Sequence, residues 1–258
     1  MKFCANLSFM FTEAPTIVER YALAKNAGFK AVESGFPIGH TLEEVKEAKD
    51  AAGIEQVLMN LRTDAQENGG LGVTALPGKE NEFKDNLNVT IHYAKAVGAR
   101  KIHIMAGKYV TGGNWDVYES NLRYAANMLK NENIVGLIEP INKYSVPNYF
   151  LHDYDRAVSI LTNIGSPHLK LQLDVFHMQQ IIGDLTHNIT NLMPHVGHIQ
   201  IAQVPDRNEP DTPGEVNYKY ILKHIEKCGY TDWIGLEYKP AKGSKEGLKW
   251  INEFGYSL

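Results

Sequence analysis

Four polar residues break apolar runs at regular intervals: Glu139 in GLIEPI, Asp174 in LQLDVFH, Gln200 in GHIQIA and Glu237 in GLEYKP. They stand 35, 26 and 37 residues apart, each step about the length of one strand plus one helix. Three are carboxylates and the fourth offers an amide oxygen. Two carboxylates about 4 Å apart repel by about 4 kcal/mol at an effective dielectric near 20. Brought together, these residues need a cation or a shared proton. An all-oxygen set suits a hard divalent ion such as Mg2+ or Mn2+ better than zinc, which prefers His or Cys. Each acid taken singly has a plainer role, capping a helix or pairing with a basic neighbour, and it is the set of four that argues for a site.

The elements that would position them recur along the whole chain. Short apolar runs begin at Lys2, Lys30, Gln56, Lys101, Ile134, Leu169, Val196 and Trp233, and each is followed by polar turn residues and a stretch of helical period. Phe83, Leu87, Ile91, Ala94 and Val97 form one such buried face, and Leu122, Ala125, Ala126 and Leu129 another. Gly28, Gly53, Gly98 and Gly229 each stand just past a helical stretch, where helices end. Eight alternating strands and helices predict an all-parallel sheet with the helices outside. In a chain of 258 residues this is the size of a closed (β/α)8 TIM barrel, an α/β fold formed by a single domain over 1–258. An open doubly wound sheet would use fewer strands and a Gly-rich turn after the first, where this chain has SFMFTEAP. The active site of such a barrel lies at the C-terminal ends of its strands, where the four polar residues fall. The connection from Arg62 to Lys79, with Gly69, Gly70, Gly72, Pro77 and Gly78, is long enough to be a candidate lid.

Composition removes whole classes of function. The net charge of −4, from 26 basic and 30 acidic residues, gives no footprint for nucleic acid. No stretch is apolar enough to span a membrane. Cys4 and Cys228 lie at opposite ends of the chain, read as small core residues and form no CxxC motif, so a reducing cytoplasm is the expected location. There is no GxSxG nucleophile motif and no HxH or HxxxH pair for zinc. His103, between Ile102 and Ile104, reads as a satisfied barrel-interior residue.

The segments FCANLSF from Phe3, NLRYAANML from Asn121, LIEPIN from Leu137, DVFHMQ from Asp174, GHIQIA from Gly197, GEVNY from Gly214 and LEYKPA from Leu236 together resemble the hydroxypyruvate isomerases of the xylose-isomerase-like barrel superfamily. The resemblance spans most of the chain. It implies that Glu139 and Glu237 are the paired acid and base, and that with Asp174 and Gln200 they ring a metal position. Many relatives hold a His where this chain has Gln200, which weakens a zinc reading and leaves the metal requirement open. The implied reaction interconverts hydroxypyruvate and 2-hydroxy-3-oxopropanoate through an enediolate, with one glutamate taking a proton and the other returning one. No organic cofactor is implied.

A keto-acid substrate also needs donors. His177, three residues after Asp174, and Arg207, just after the seventh strand, are the first candidates, and the resemblance puts substrate oxygens against them. Their plainer readings are a helix-start histidine bonded to backbone and a surface ion pair with Asp206, Glu209 or Asp211. Lys143, Lys239 and Arg62 are weaker candidates. A ketose epimerase or polyol dehydratase would use the same carboxylates on a longer substrate, the pocket being set by the loops Arg62 to Lys79 and Lys108 to Trp115. A three-zinc DNA-repair hydrolase of the same superfamily fails on the count of placed histidines and on charge. The superfamily often associates, so a homo-oligomer is allowed.

Overall fold

The computed structural model describes residues 1–63, 71–108 and 112–258. Eight strands, β1 (Lys2–Asn6), β2 (Ala31–Ser34), β3 (Glu55–Asn60), β4 (Lys101–His103), β5 (Val135–Ile138), β6 (Leu169–Asp174), β7 (Val196–Ile201) and β8 (Trp233–Leu236), pair in sequence order and close into a barrel. Every pairing is parallel, and the ring is shut by β1 against β8, with Phe3 opposite Ile234 and Cys4 opposite Gly235. The strands are rich in apolar residues because both faces of the sheet are covered.

The helices α1 (Ile17–Asn26), α2 (Leu42–Ala52), α3 (Glu80–Val97), α4 (Trp115–Asn131), α5 (Tyr154–Ile164), α6 (Val175–Ile181), α7 (Leu185–Leu192), α8 (Tyr218–Lys227) and α9 (Lys249–Glu253) surround it. Local signals set their ends. Thr41 and Glu44 form a reciprocal capping box at the start of α2, and Thr16 and Glu19 do the same for α1. The face of α3 marked by Phe83, Leu87, Ile91, Ala94 and Val97 is buried, and Gly98 ends the helix with φ of 78°.

Where eight helices are expected, nine are found among the described residues, because the segment between β6 and β7 holds both α6 and α7. The break between them falls at Gly183 and Asp184, both at positive φ. The connection from Arg62 to Lys79 is described only from Leu71 onward and at its first two residues. The candidate lid's centre, with Gly69 and Gly70, lies outside the described residues, as do residues 109–111 of the second pocket loop.

Two register steps interrupt the ladder, one between Val32 and Glu33 against β3 and one between Leu171 and Gln172 against β7. Such irregularities redirect the side chain that follows. Here Glu33 and Gln172 both carry polar groups into the barrel interior, as the hydrogen bonds below describe. No helix among the described residues is long and apolar enough to cross a membrane.

Candidate active site

The chain turns out of each strand at the barrel's C-terminal end, and of the six side chains named from sequence five meet there, with Gln200 joined to them through Gln172. Glu139 follows β5, Asp174 ends β6, Gln200 is the penultimate residue of β7, and Glu237 follows β8. His177 comes from the first turns of α6 and Arg207 from the loop after β7.

Asp174 does two things at once. Its Oδ1 accepts from the Phe176 N–H at 2.9 Å and so starts α6. Its Oδ2 lies 3.4 Å from Arg207 Nη2 and 3.6 Å from His177 Nε2. The helix-capping role and the site role therefore belong to different oxygens of one carboxylate. His177 is the backbone-bonded helix-start histidine of its plainer reading, and it also faces the site. Its Nδ1 accepts from the Asn142 backbone N–H at 3.3 Å, which leaves the ring proton on Nε2. Burial, reinforced by Arg207, drives its pKa well below the ordinary value, so it is a neutral donor aimed at Asp174 and at Glu139 Oε1, 3.9 Å away.

Arg207 is no surface ion pair. Its Nη2 donates to Glu237 Oε2 at 2.5 Å, and its guanidinium carbon sits 4.6 Å from the ring centre of Phe9 and 4.7 Å from that of Phe176. The cation is thus stacked between two aromatic faces. Its backbone has φ of 59°, a conformation that costs a non-glycine residue about 1 kcal/mol and is typical of functional sites. Lys239 is exposed and Lys143 lies over the ring of Tyr144. The backbone N–H of Arg62 donates to Thr90 Oγ1.

Glu139 is buried, and only its Oε2 is hydrogen-bonded, by Gln172 Nε2 at 3.0 Å. Among the described residues its Oε1 has no partner, nor does the neighbouring His103 Nε2, 3.5 Å from Glu139 Oε2. His103 is therefore interior, as expected, but not satisfied. Burial holds it neutral, with a pKa pushed down to about 3.

The three carboxyls all titrate high. Burial is the largest cause for each, pushing Asp174 to about 6 and Glu237 to about 8 against the opposing charge of Arg207. Glu139 is raised well above the carboxylate range, by burial and then by Glu237 and Asp174. An unpartnered oxygen beside acids held partly protonated is the condition that a divalent cation relieves. Glu139, Asp174 and His177 come close enough together to hold one, although the proton on His177 Nε2 favours the carboxylates as ligands. Glu237, drawn to Arg207, stands outside that trio, and the Gln200 oxygen faces Gln172 at 2.7 Å.

Sequence reasoning missed a second set of polar residues beneath the first. Glu33, Asn6, Gln172, His198 and Lys101 are all buried in the barrel. Gln200 Nε2 and Asn6 Nδ2 donate to Glu33 Oε1 at 2.7 and 2.8 Å, and Asn6 Nδ2 also donates to Glu237 Oε1 at 3.1 Å. The available signal was period two: Gln172 and His198 stand two residues before Asp174 and Gln200, on the same strand face. Of the two cysteines, Cys4 is buried as expected, whereas Cys228 is only half-buried, against Thr190 and His224.

The comparisons with known proteins agree with this fold. The family model described as xylose isomerase-like TIM barrel matches residues 21–254. The hydroxypyruvate isomerase of Escherichia coli K12 is 39% identical over 258 residues, covering 98% of this chain and 99% of that protein. The 2-oxo-tetronate isomerase of Cupriavidus necator is 38% identical, covering 98% of each. Among solved structures, one from Brucella melitensis described as an AP endonuclease of family 2 superposes with a TM-score of 0.92 at 38% identity, covering 98% of each chain. With a closed eight-stranded barrel and near full-length relatives in agreement, the chain belongs to the xylose isomerase-like TIM barrel family and stands with its isomerases.

Proposed function

We propose that the protein interconverts hydroxypyruvate and 2-hydroxy-3-oxopropanoate, using Glu139 and Glu237 as acid and base. The observation that carries this reading is the pair of glutamates at one mouth, both with carboxyls raised far above their ordinary range, one of them with an unpartnered oxygen. A carboxyl that titrates near neutrality can both accept and return a proton.

The reaction asks for little else. One carboxylate removes a proton from C3 of hydroxypyruvate, giving an enediolate across C2 and C3. A proton is then delivered to C2, and the hydroxyl proton moves from O3 to O2, which leaves the aldehyde at C3. Charge on the two oxygens in transit needs donors. The neutral His177 Nε2–H and the guanidinium of Arg207 are the donors within this mouth, and the two rings stacked on Arg207 keep its geometry fixed. A divalent ion, held by Glu139 and Asp174 beside His177, would supply Lewis-acid stabilisation of that charge when bound, while Glu237 is engaged by Arg207 and the Gln200 oxygen by Gln172. No organic cofactor has a part, and the substrate is a small keto acid rather than a nucleic acid. A cytoplasmic setting belongs to the same reading, supported by two unpaired thiols.

The test is turnover of hydroxypyruvate by purified protein, followed by reduction of the aldehyde product with a coupled semialdehyde reductase, with Mg2+, with Mn2+ and after chelation. 2-Oxotetronate and a panel of ketoses run alongside. Turnover of hydroxypyruvate above the others supports the assignment. Preference for a ketose, with hydroxypyruvate inert, overturns it in favour of an epimerase on the same barrel.

A further inference from the structure

Under the mouth, a line of contacts runs up the barrel from its N-terminal side. Asp232, half-exposed, receives a hydrogen bond from Lys101 Nζ at 2.8 Å. The same ammonium lies 3.2 Å from His198 Nδ1. An ammonium can only donate, so His198 Nδ1 accepts, and the ring proton must sit on Nε2. That N–H points at Glu33 Oε2, 2.5 Å away. Glu33 is fully buried and receives donors from Asn6, His198 and Gln200, with the Cys4 thiol at 3.6 Å. A carboxyl surrounded by donors in this way is an acceptor on both oxygens.

The fold makes room for it. A Cβ at Gly235 would overlap the Glu33 carboxyl group, and Gly235 does not adopt a left-handed φ that would itself call for glycine. The β2 register step falls immediately before Glu33.

An amide has a donating end and an accepting end, and an acceptor-only neighbour decides which end faces it. Glu33 draws the Gln200 NH2 toward itself, which turns Gln200 Oε1 to Gln172. Gln172 then presents its NH2 to both Gln200 Oε1 and Glu139 Oε2. If Gln200 were reversed, two NH2 groups would meet, Gln172 would reverse in turn, and an oxygen would face the Glu139 carboxylate. On the other branch, Asn6 divides its NH2 between Glu33 and Glu237 Oε1.

We propose that Glu33 is the positioning residue of this site: held by His198 and Lys101, it sets the hydrogen-bond direction of Gln200, Gln172 and Asn6, and so delivers one N–H to each of the two glutamates. The inference rests on the reading of Glu139 and Glu237 as the acid–base pair, but its structural half stands without it.

The test combines kinetics with the side-chain amide signals of 15N-labelled protein, assigned by single substitution, in Glu33→Gln, Glu33→Asp and Gly235→Ala. Glu33→Gln should shift the Gln172 amide pair, which Glu33 does not touch, together with those of Gln200 and Asn6. Its kcat should fall about 10–100-fold, the usual cost of removing a supporting partner, with KM changing less than about threefold. Glu33→Asp, which keeps the anion, should restore the amide pattern and most of kcat. Should Glu33→Gln not fold, Gly235→Ala displaces the carboxylate without removing its charge and should give the same amide shifts.

Unmoved Gln172 signals in a folded variant, or Glu33→Gln turning over like the parent, overturn the proposal. So does the absence, in the unsubstituted protein, of NOEs between the Gln200 amide protons and the Glu33 side chain, a measurement that needs no variant to fold. If the unsubstituted protein does not act on hydroxypyruvate, the functional reading fails while the amide signals still decide this one.

Discussion

Two layers of buried polar groups share the inside of one barrel and are built on opposite rules. In the lower layer, Glu33 is matched by surrounding donors, with only the neutral Gln172 Oε1 left over among the described residues, and although burial alone would raise the Glu33 carboxyl, His198, Gln200 and Asn6 bring it below the ordinary value. In the upper layer, Glu139, Asp174 and Glu237 outnumber Arg207, an oxygen of Glu139 and a nitrogen of His103 go without partners, and burial pushes all three carboxyls up. Glu33, at least as buried as any carboxyl of the upper layer, is the one brought down, so the difference comes from partners. A fully matched buried network is rigid and chemically quiet, whereas an unmatched one stores a demand for a proton, a cation or a substrate. Activity and stability should therefore respond in opposite ways to changes in the two layers.

The sharpest test is to neutralise the upper glutamates one at a time. Glu139→Gln and Glu237→Gln should each lower kcat by about 10²–10⁴-fold, the range for loss of a positioned acid or base. Because each removes an acidic group from an unmatched cluster, the melting temperature of Glu139→Gln should be no lower than that of the parent. A variant that lost stability and kept activity would break the comparison. Arg207→Lys comes next. Lysine cannot reach two carboxylates with a planar fork while stacked between Phe9 and Phe176, and kcat/KM measured by steady-state kinetics should drop about 100-fold. A loss below about threefold would show that the upper layer needs only a positive charge.

The lower layer should behave the other way. Lys101→Met removes a buried cation that joins Asp232 to His198, and the expected cost is about 2 kcal/mol in urea denaturation, the scale of a charged hydrogen bond. The loss is held down because Asp232 is half-exposed and water can solvate it once unpaired.

How much of this was legible follows from where the residues stand. Glu139, Asp174, Gln200 and Glu237 interrupt apolar runs at strand ends, so a pattern of hydrophobicity exposes them and the eight strands together. Glu33 sits in AVES, a four-residue strand too short for one polar residue to break any pattern, and what it touches comes from β1, β7 and β8, which only closure of the barrel brings near. Gln172 and His198 were within reach through alternation, but a strand buried on both faces masks period two with apolar residues. The burial of Arg207 was not readable, because its acidic sequence neighbours Asp206, Glu209 and Asp211 offer an ordinary surface explanation. The second helix after β6 had a signal in Gly183, a helix-ending glycine between Ile181 and Leu185, but counting one helix per strand passes over it.

The smallest effect expected is in the pH dependence of stability without metal. Asp174 and Glu237 titrate at about 6 and about 8 in the fold, against about 4 when unfolded. Groups raised in this way favour the fold below their unfolded pKa, and that contribution is lost as pH rises through the folded values. His103 and His177 are depressed by burial and His198 is lowered, so they act in reverse. Their contribution is present above about 6.5 and lost as pH falls, joined at lower pH by Glu33 and Asp232, whose carboxyls are also lowered. Thermal melting in chelator should therefore peak near pH 6 and fall on both sides, by a few degrees toward pH 9, where 1 kcal/mol corresponds to about 2–4 °C. Mn2+ binds the ionised carboxylates, so its stabilisation should be greater at pH 9 than at pH 6. A flat alkaline limb, or an ion that stabilises equally at both pH values, would mean that the upper carboxyls are matched after all and that the two layers do not differ in kind.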